Sequence, residues 1–163
     1  MGTGKTTIGR QLSRKLSKTF YDSDHEIEQH TGADIPLIFD IEGEQGFRER
    51  ESKAIEELVQ FDNIVLSTGG GVVLNDNNRR LLSENGFIIY LKSSPEKLYK
   101  RTAGDKRRPL LQSEDRMNQI QSLLEQREPL YCSLANKIIN TDNLTIKQIL
   151  QNILDTIKDN EAN

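Results

Sequence analysis

Met1-Gly2-Thr3-Gly4-Lys5-Thr6-Thr7 opens the chain, and its reading decides the fold. Gly4, Lys5 and Thr6 fill the last three positions of the phosphate-binding pattern G-x-x-x-x-G-K-[ST]. Glycine lets backbone N–H groups approach and point at phosphate oxygens. Lys5 brings a cation to the β- and γ-phosphates, and Thr6 offers a hydroxyl to Mg²⁺. Ile8, Leu12 and Leu16 follow at helical spacing, so the loop opens a helix whose positive N-terminal end faces the anion. The first glycine of the pattern, and the apolar strand that feeds such a loop, would lie ahead of Met1. The plain alternative is a chance Gly-Lys-Thr, and the helix pattern behind the loop argues against it.

At 163 residues the expectation is a single domain, 1–163, with a real core. Charged residues make up 29% and hydrophobic residues 34%, which suits a soluble α/β protein with well-solvated helices. A net charge of −3 does not suggest a nucleic-acid partner. No apolar run reaches membrane-spanning length, and no apolar segment of a signal peptide precedes the loop. The single cysteine, Cys132, has no internal disulfide partner, which fits a reducing cytoplasm; it is expected to be buried or half-buried. His25 and His30 read as exposed helix residues, not metal ligands.

Helices are expected over 5–18, 24–31, 34–42 and 44–60, with a break at Gly43, then over 76–85, from Ser94-Pro95, from about Asp115, and along the Ile146–Ile157 stripe. Ser94 reads as an N-cap and Gly86 as a C-terminal glycine cap. Strands are expected at Thr19-Phe20-Tyr21, Asn63–Ser67, Phe87–Leu91 and Lys137–Asn140. Strands alternating with helices imply a parallel sheet covered on both faces, with ligands outside the carboxyl ends of the strands.

The residues able to do chemistry fall at those ends. If strand geometry persists, Asp22 and Asp24 point to one side; one carboxylate would hold Mg²⁺ through water and the other accept a hydroxyl proton. Gly69-Gly70-Gly71 after a buried strand is costly unless a ligand or another backbone comes close. Arg48 and Arg127 read plainly as surface ion pairs, and gain interest only for a substrate with a carboxylate, which arginine binds as a fork. Lys100, Arg101, Lys106, Arg107 and Arg108 crowd a basic loop that reads either as a solvated patch or as a mobile lid over ATP.

Gly-Thr-Gly-Lys-Thr-Thr-Ile-Gly-Arg, Phe-Tyr-Asp-Ser-Asp, Gly-Phe-Arg-Glu-Arg-Glu, Ser-Thr-Gly-Gly-Gly, Arg-Arg-Pro-Leu-Leu and Arg-Glu-Pro-Leu-Tyr occur in that order. Together they closely resemble the shikimate kinase family over essentially the whole chain. The resemblance implies a P-loop kinase fold, a three-layer α/β/α domain with a parallel sheet. It implies transfer of the ATP γ-phosphate to the 3-hydroxyl of shikimate, toward chorismate and the aromatic amino acids. ATP is then the co-substrate and Mg²⁺ the cofactor. Gly2, Thr3, Gly4, Lys5, Thr6 and Thr7 would hold the phosphates, Thr6 the metal, and Asp22 its water shell. Asp24 would be the base, Lys5 and Arg108 its catalytic partners. Arg48, Arg127 and Gly69, Gly70 and Gly71 would bind shikimate, with Glu51 steadying the arginines. Arg108 would close with the lid, and Arg101 flank the adenine. Substrate-binding helices would span about 24–60 and the lid about 103–115. No adenine contact is assigned to Thr141–Leu144. The family's central first strand has no counterpart in 1–163, so a chain lacking that strand, with exposed apolar surface and reduced stability, is expected. A cytoplasmic monomer is expected. The rivals are another small-molecule kinase, such as a gluconate kinase, and a nucleotide-binding protein without catalysis.

Overall fold

The computed structural model describes residues 2–104, 110 and 115–161. Helix α1 (Lys5–Leu16) turns Ile8 and Leu12 inward, as their spacing predicts. The chain continues through β1 (Thr19–Asp22), α2 (Ser23–Thr31), α3 (Ile35–Leu58) and β2 (Ile64–Ser67). Gly43 interrupts α3 at φ 70°, ψ −177°, a conformation open to glycine, so α3 is two helical pieces broken where expected. A short 3-10 turn (Val72–Leu74) leads to α4 (Asp76–Asn85), β3 (Ile89–Lys92), α5 (Pro95–Arg101), α6 (Arg116–Leu134), β4 (Lys137–Asn140) and α7 (Ile146–Glu161). Of the expected lid, Lys106, Arg107, Arg108, Pro109 and Leu111 lie outside the described residues.

Every strand pairing is parallel. β1 pairs with β2, Asp22 opposite Ser67, and β3 pairs with β4, Lys92 opposite Asn140. Helices cover both faces, because successive strand residues point to opposite sides. Val65 joins the core built by Ile8 and Leu12 of α1, Leu91 of β3, Ile139 of β4, and Leu150 and Ile153 of α7. Its neighbour Leu66 joins Ile55, Val72 and Val73, beneath α3, α4 and α6.

Among the described residues, no strand links β2 to β3. A cleft of about 540 Å³ lies there instead, lined by Leu12, Val65, Leu66, Ile89, Leu91 and Ile153. Its apolar walls are those of a sheet interior, and each flanking strand has one partner.

Four local expectations need correction. Helix α2 starts at Ser23, so Asp22 and Asp24 do not alternate along a strand; Asp22 is the N-cap and accepts the Asp24 N–H at 3.2 Å. Gly86 is extended (φ −157°, ψ 160°), and so makes no left-handed cap. Ser94 makes no side-chain cap; Asp142, from the loop after β4, accepts its N–H and the Ser93 hydroxyl (2.6 Å), and these bonds hold the Asp142 carboxyl below the usual carboxylate range. Cys132 is exposed, because α6 turns Arg127 and Tyr131 toward the site and leaves this position outward.

Candidate active site

Two glycines shape the anion end. Gly2 (φ 64°) and Gly4 (φ 87°) hold left-handed backbone, which other residues adopt only with strain. Gly4 caps α1 without any side-chain hydrogen bond, so the first helical N–H groups are not claimed by a capping side chain and suit an anion. Lys5 is half-buried at this turn. The Thr6 hydroxyl donates to Asp22 Oδ2 at 2.7 Å, which joins the start of α1 to the end of β1. A Cβ on Gly2 would meet Thr102 Cγ2 at 2.8 Å. The end of α5 therefore packs on the phosphate loop through Leu98 and Thr102, while Arg101, its last residue, is exposed.

The parallel register carries Asp22 next to Ser67, and Gly69-Gly70-Gly71 follows two residues on. The Gly69 N–H donates to the Ser23 hydroxyl at 3.1 Å, binding this loop to the start of α2. A Cβ on Gly69 would stand 2.6 Å from Glu51 Oε1 and 2.8 Å from Asp24 Oδ1; on Gly71 it would collide with the Arg48 guanidinium. Close approach of charged groups, more than chain flexibility, explains these two glycines.

Arg48 is no ordinary surface pair. It donates to Glu51 at 2.8 Å and to Glu44 at 2.9 Å, and Glu51 is only 1% exposed. Burial pushes the Glu51 carboxyl above its usual range, while Arg48 and Arg127 draw it back. Arg127 is 5% exposed, and its Nε has no hydrogen-bond acceptor among the described residues. A buried guanidinium with a donor to spare is costly unless an acceptor arrives. His25 and His30 are exposed, His25 beside Gln29 and His30 beside Glu57.

The structure thus gathers Lys5, Thr6 and Asp22 at one mouth, and Asp24, Arg48, Glu51, Gly69–Gly71 and Arg127 around one loop. Two contributions are not legible in the sequence: the Ser23 hydroxyl under Gly69, and Tyr131, which donates to the Gly70 carbonyl. Only the i, i+4 spacing of Tyr131 from Arg127 is a signal in advance.

A parallel α/β fold with a glycine-lysine-threonine turn at the carboxyl ends of its strands defines a P-loop phosphotransferase. A family model described as shikimate kinase matches residues 1–158, and the chain belongs to that family. A shikimate kinase of Nitrosococcus oceani is 53% identical over 94% of this chain and 81% of its own length. One of Legionella pneumophila is 53% identical, over 94% of this chain and 88% of its own. A solved shikimate kinase from Acinetobacter baumannii, in complex with shikimate, superposes with TM-score 0.97 at 44% identity, covering all of this chain and 91% of that one. The Aquifex aeolicus enzyme superposes at TM-score 0.86 with 31% identity, over 99% of this chain and 94% of its own. The chain is a kinase of shikimate with ATP as co-substrate. Among the described residues, no helix is long and apolar enough to cross a membrane.

Proposed function

We propose that the γ-phosphate of ATP, held on Gly2–Thr7, passes to the 3-hydroxyl of shikimate held against Gly69–Gly71. The observation that supports this most is Arg127. It is buried, has a donor to spare, acts with Arg48 on the same buried Glu51, and lines one cleft with Gly69 and Gly70. Two guanidinium groups suit a ring carboxylate, which each can grip as a fork. Asp24, beside Gly69, would orient the attacking hydroxyl and accept its proton. Lys5 would offset charge on the phosphates. Arg108 would act from the lid, about 103–115, Arg101 at the end of α5 would flank the adenine, and the helices of about 24–60 would carry the acceptor side of this single domain.

Mg²⁺ fits the residues at the loop. Thr6 and Asp22 bring a hydroxyl and a carboxylate together, and Mg²⁺ takes few protein oxygens alongside water and phosphate. Thr6 would ligate it directly and Asp22 through water. When bound, the ion neutralises charge on the β- and γ-phosphate oxygens.

Gly71→Ala is expected to push Arg48 aside and weaken shikimate binding about tenfold, within the usual cost of overpacking. Calorimetric titration with shikimate checks it; unchanged affinity would remove the close approach as a reason for that glycine.

The reaction itself is tested by coupled ADP release with shikimate, gluconate and nucleotides as acceptors. Shikimate alone should drive turnover. Equal release with gluconate would favour the other small-molecule kinase, and none with any acceptor the inert nucleotide binder. The cleft between β2 and β3 supports a further reading, that the fold is completed by one more apolar strand there. A chain lengthened ahead of Gly2 by such a strand should melt higher and turn over faster than 1–163. Matching melting temperature and turnover in the two would overturn it. A cytoplasmic monomer is the expected form, checked by sedimentation and cell fractionation.

A further inference from the structure

We infer that Tyr131 is a positioning residue for the acceptor: through the Gly70 carbonyl it fixes the direction in which the Gly71 N–H is presented. The inference rests on the placement of shikimate against Gly69–Gly71.

Helix α6 sets Arg127 and Tyr131 four residues apart, on one face. The Tyr131 hydroxyl donates to the Gly70 carbonyl, across 61 residues of sequence. Its ring is held independently. It stacks on Tyr90 of β3 with centroids 4.8 Å apart, and packs on the core of Ile55, Val72 and Val73. The hydroxyl is therefore not needed to hold the ring; it donates to one carbonyl of the glycine run and accepts from the Arg127 side chain.

Three consecutive glycines have the widest choice of backbone conformation. The run is tied at Gly69 by Ser23 and by the Val72 N–H, and at Gly71 by the Leu74 N–H. Between them, Gly70 is tied by Tyr131. The peptide bond from Gly70 to Gly71 is trans, so its N–H points opposite to its carbonyl. Fixing the Gly70 oxygen toward Tyr131 turns the Gly71 N–H away from it. Burial raises the Tyr131 phenol above its ordinary value even with Arg127 beside it, so the hydroxyl keeps its proton at neutral pH.

Tyr131→Phe keeps the ring and removes the donor. We expect the KM for shikimate to rise about tenfold, the scale of one buried carbonyl left unpaired. The kcat and the KM for ATP should hold. Tyr90→Phe, which alters the other ring of the stack, should match the parent enzyme. An unchanged shikimate KM in Tyr131→Phe, an equal rise in both KM values, or the same shift in Tyr90→Phe would each overturn the inference. Arg48→Ala with an unchanged shikimate KM would instead remove the underlying site, and the inference with it.

Discussion

Arg48→Ala is expected to lower kcat/KM for shikimate by at least about thirtyfold, while the KM for ATP stays unchanged. Truncating one member of a buried, hydrogen-bonded charge pair costs about 2–5 kcal/mol, much of it from the partner left alone. Here that partner is Glu51, 1% exposed and 2.8 Å from Arg48. The variant should therefore also melt lower, since an uncompensated buried carboxylate is destabilising. Arg48→Lys separates the two effects. It keeps a cation for Glu51 but not the planar fork, so it should recover stability more than shikimate affinity. Steady-state kinetics in each substrate, beside thermal unfolding, read both. Equal losses for shikimate and ATP would contradict the carboxylate role.

Asp24→Asn carries the second large effect, on turnover. A positioned general base contributes about 10²–10⁴-fold, and the amide keeps the shape while losing the basic oxygen. Asp24 sits in the first turn of α2, its backbone N–H held by Asp22 and its carboxylate against Gly69. Its orientation thus depends on a helix cap and a glycine, and neither changes in the variant. We expect kcat to fall by at least about a hundredfold with little change in either KM. Near-normal turnover, measured by coupled ADP release, would take Asp24 out of the base role.

The fold was legible where physics is local. Ile8 and Leu12 at helical spacing, the apolar run of β2, and the break at Gly43 each mark an element whose cause lies within a few residues. The sequence misled where a neighbour distant in the chain or a helix start decides. The Asp22-Ser23-Asp24 stretch looks like a continuing strand, but Asp22 caps a helix and redirects Asp24. Ser94 occupies the N-cap position but makes no side-chain cap, and Asp142 serves that end from the loop after the neighbouring strand β4. Cys132 has the composition of a core residue, and the face α6 turns inward leaves it out. The site shows the same division. Gly4-Lys5-Thr6 can be read together with the Ile8 and Leu12 spacing behind it, because the turn and its helix are adjacent in sequence. The need for glycine at 69 and 71 could be suspected but not explained, since the obstructing atoms belong to Asp24, Arg48 and Glu51. Ser23 gave no signal and Tyr131 only its i, i+4 spacing from Arg127, because a lone hydroxyl gains meaning only from the carbonyl or amide it meets.

The pairing of two arginines with one glycine loop is tested most directly by a crystal structure of the protein with ADP and shikimate bound together. The shikimate carboxylate should lie between Arg48 and Arg127, with its 3-hydroxyl near Asp24 and facing the nucleotide phosphates on Lys5. A carboxylate bound away from both arginines, or a hydroxyl turned from the phosphates, would contradict the assignment.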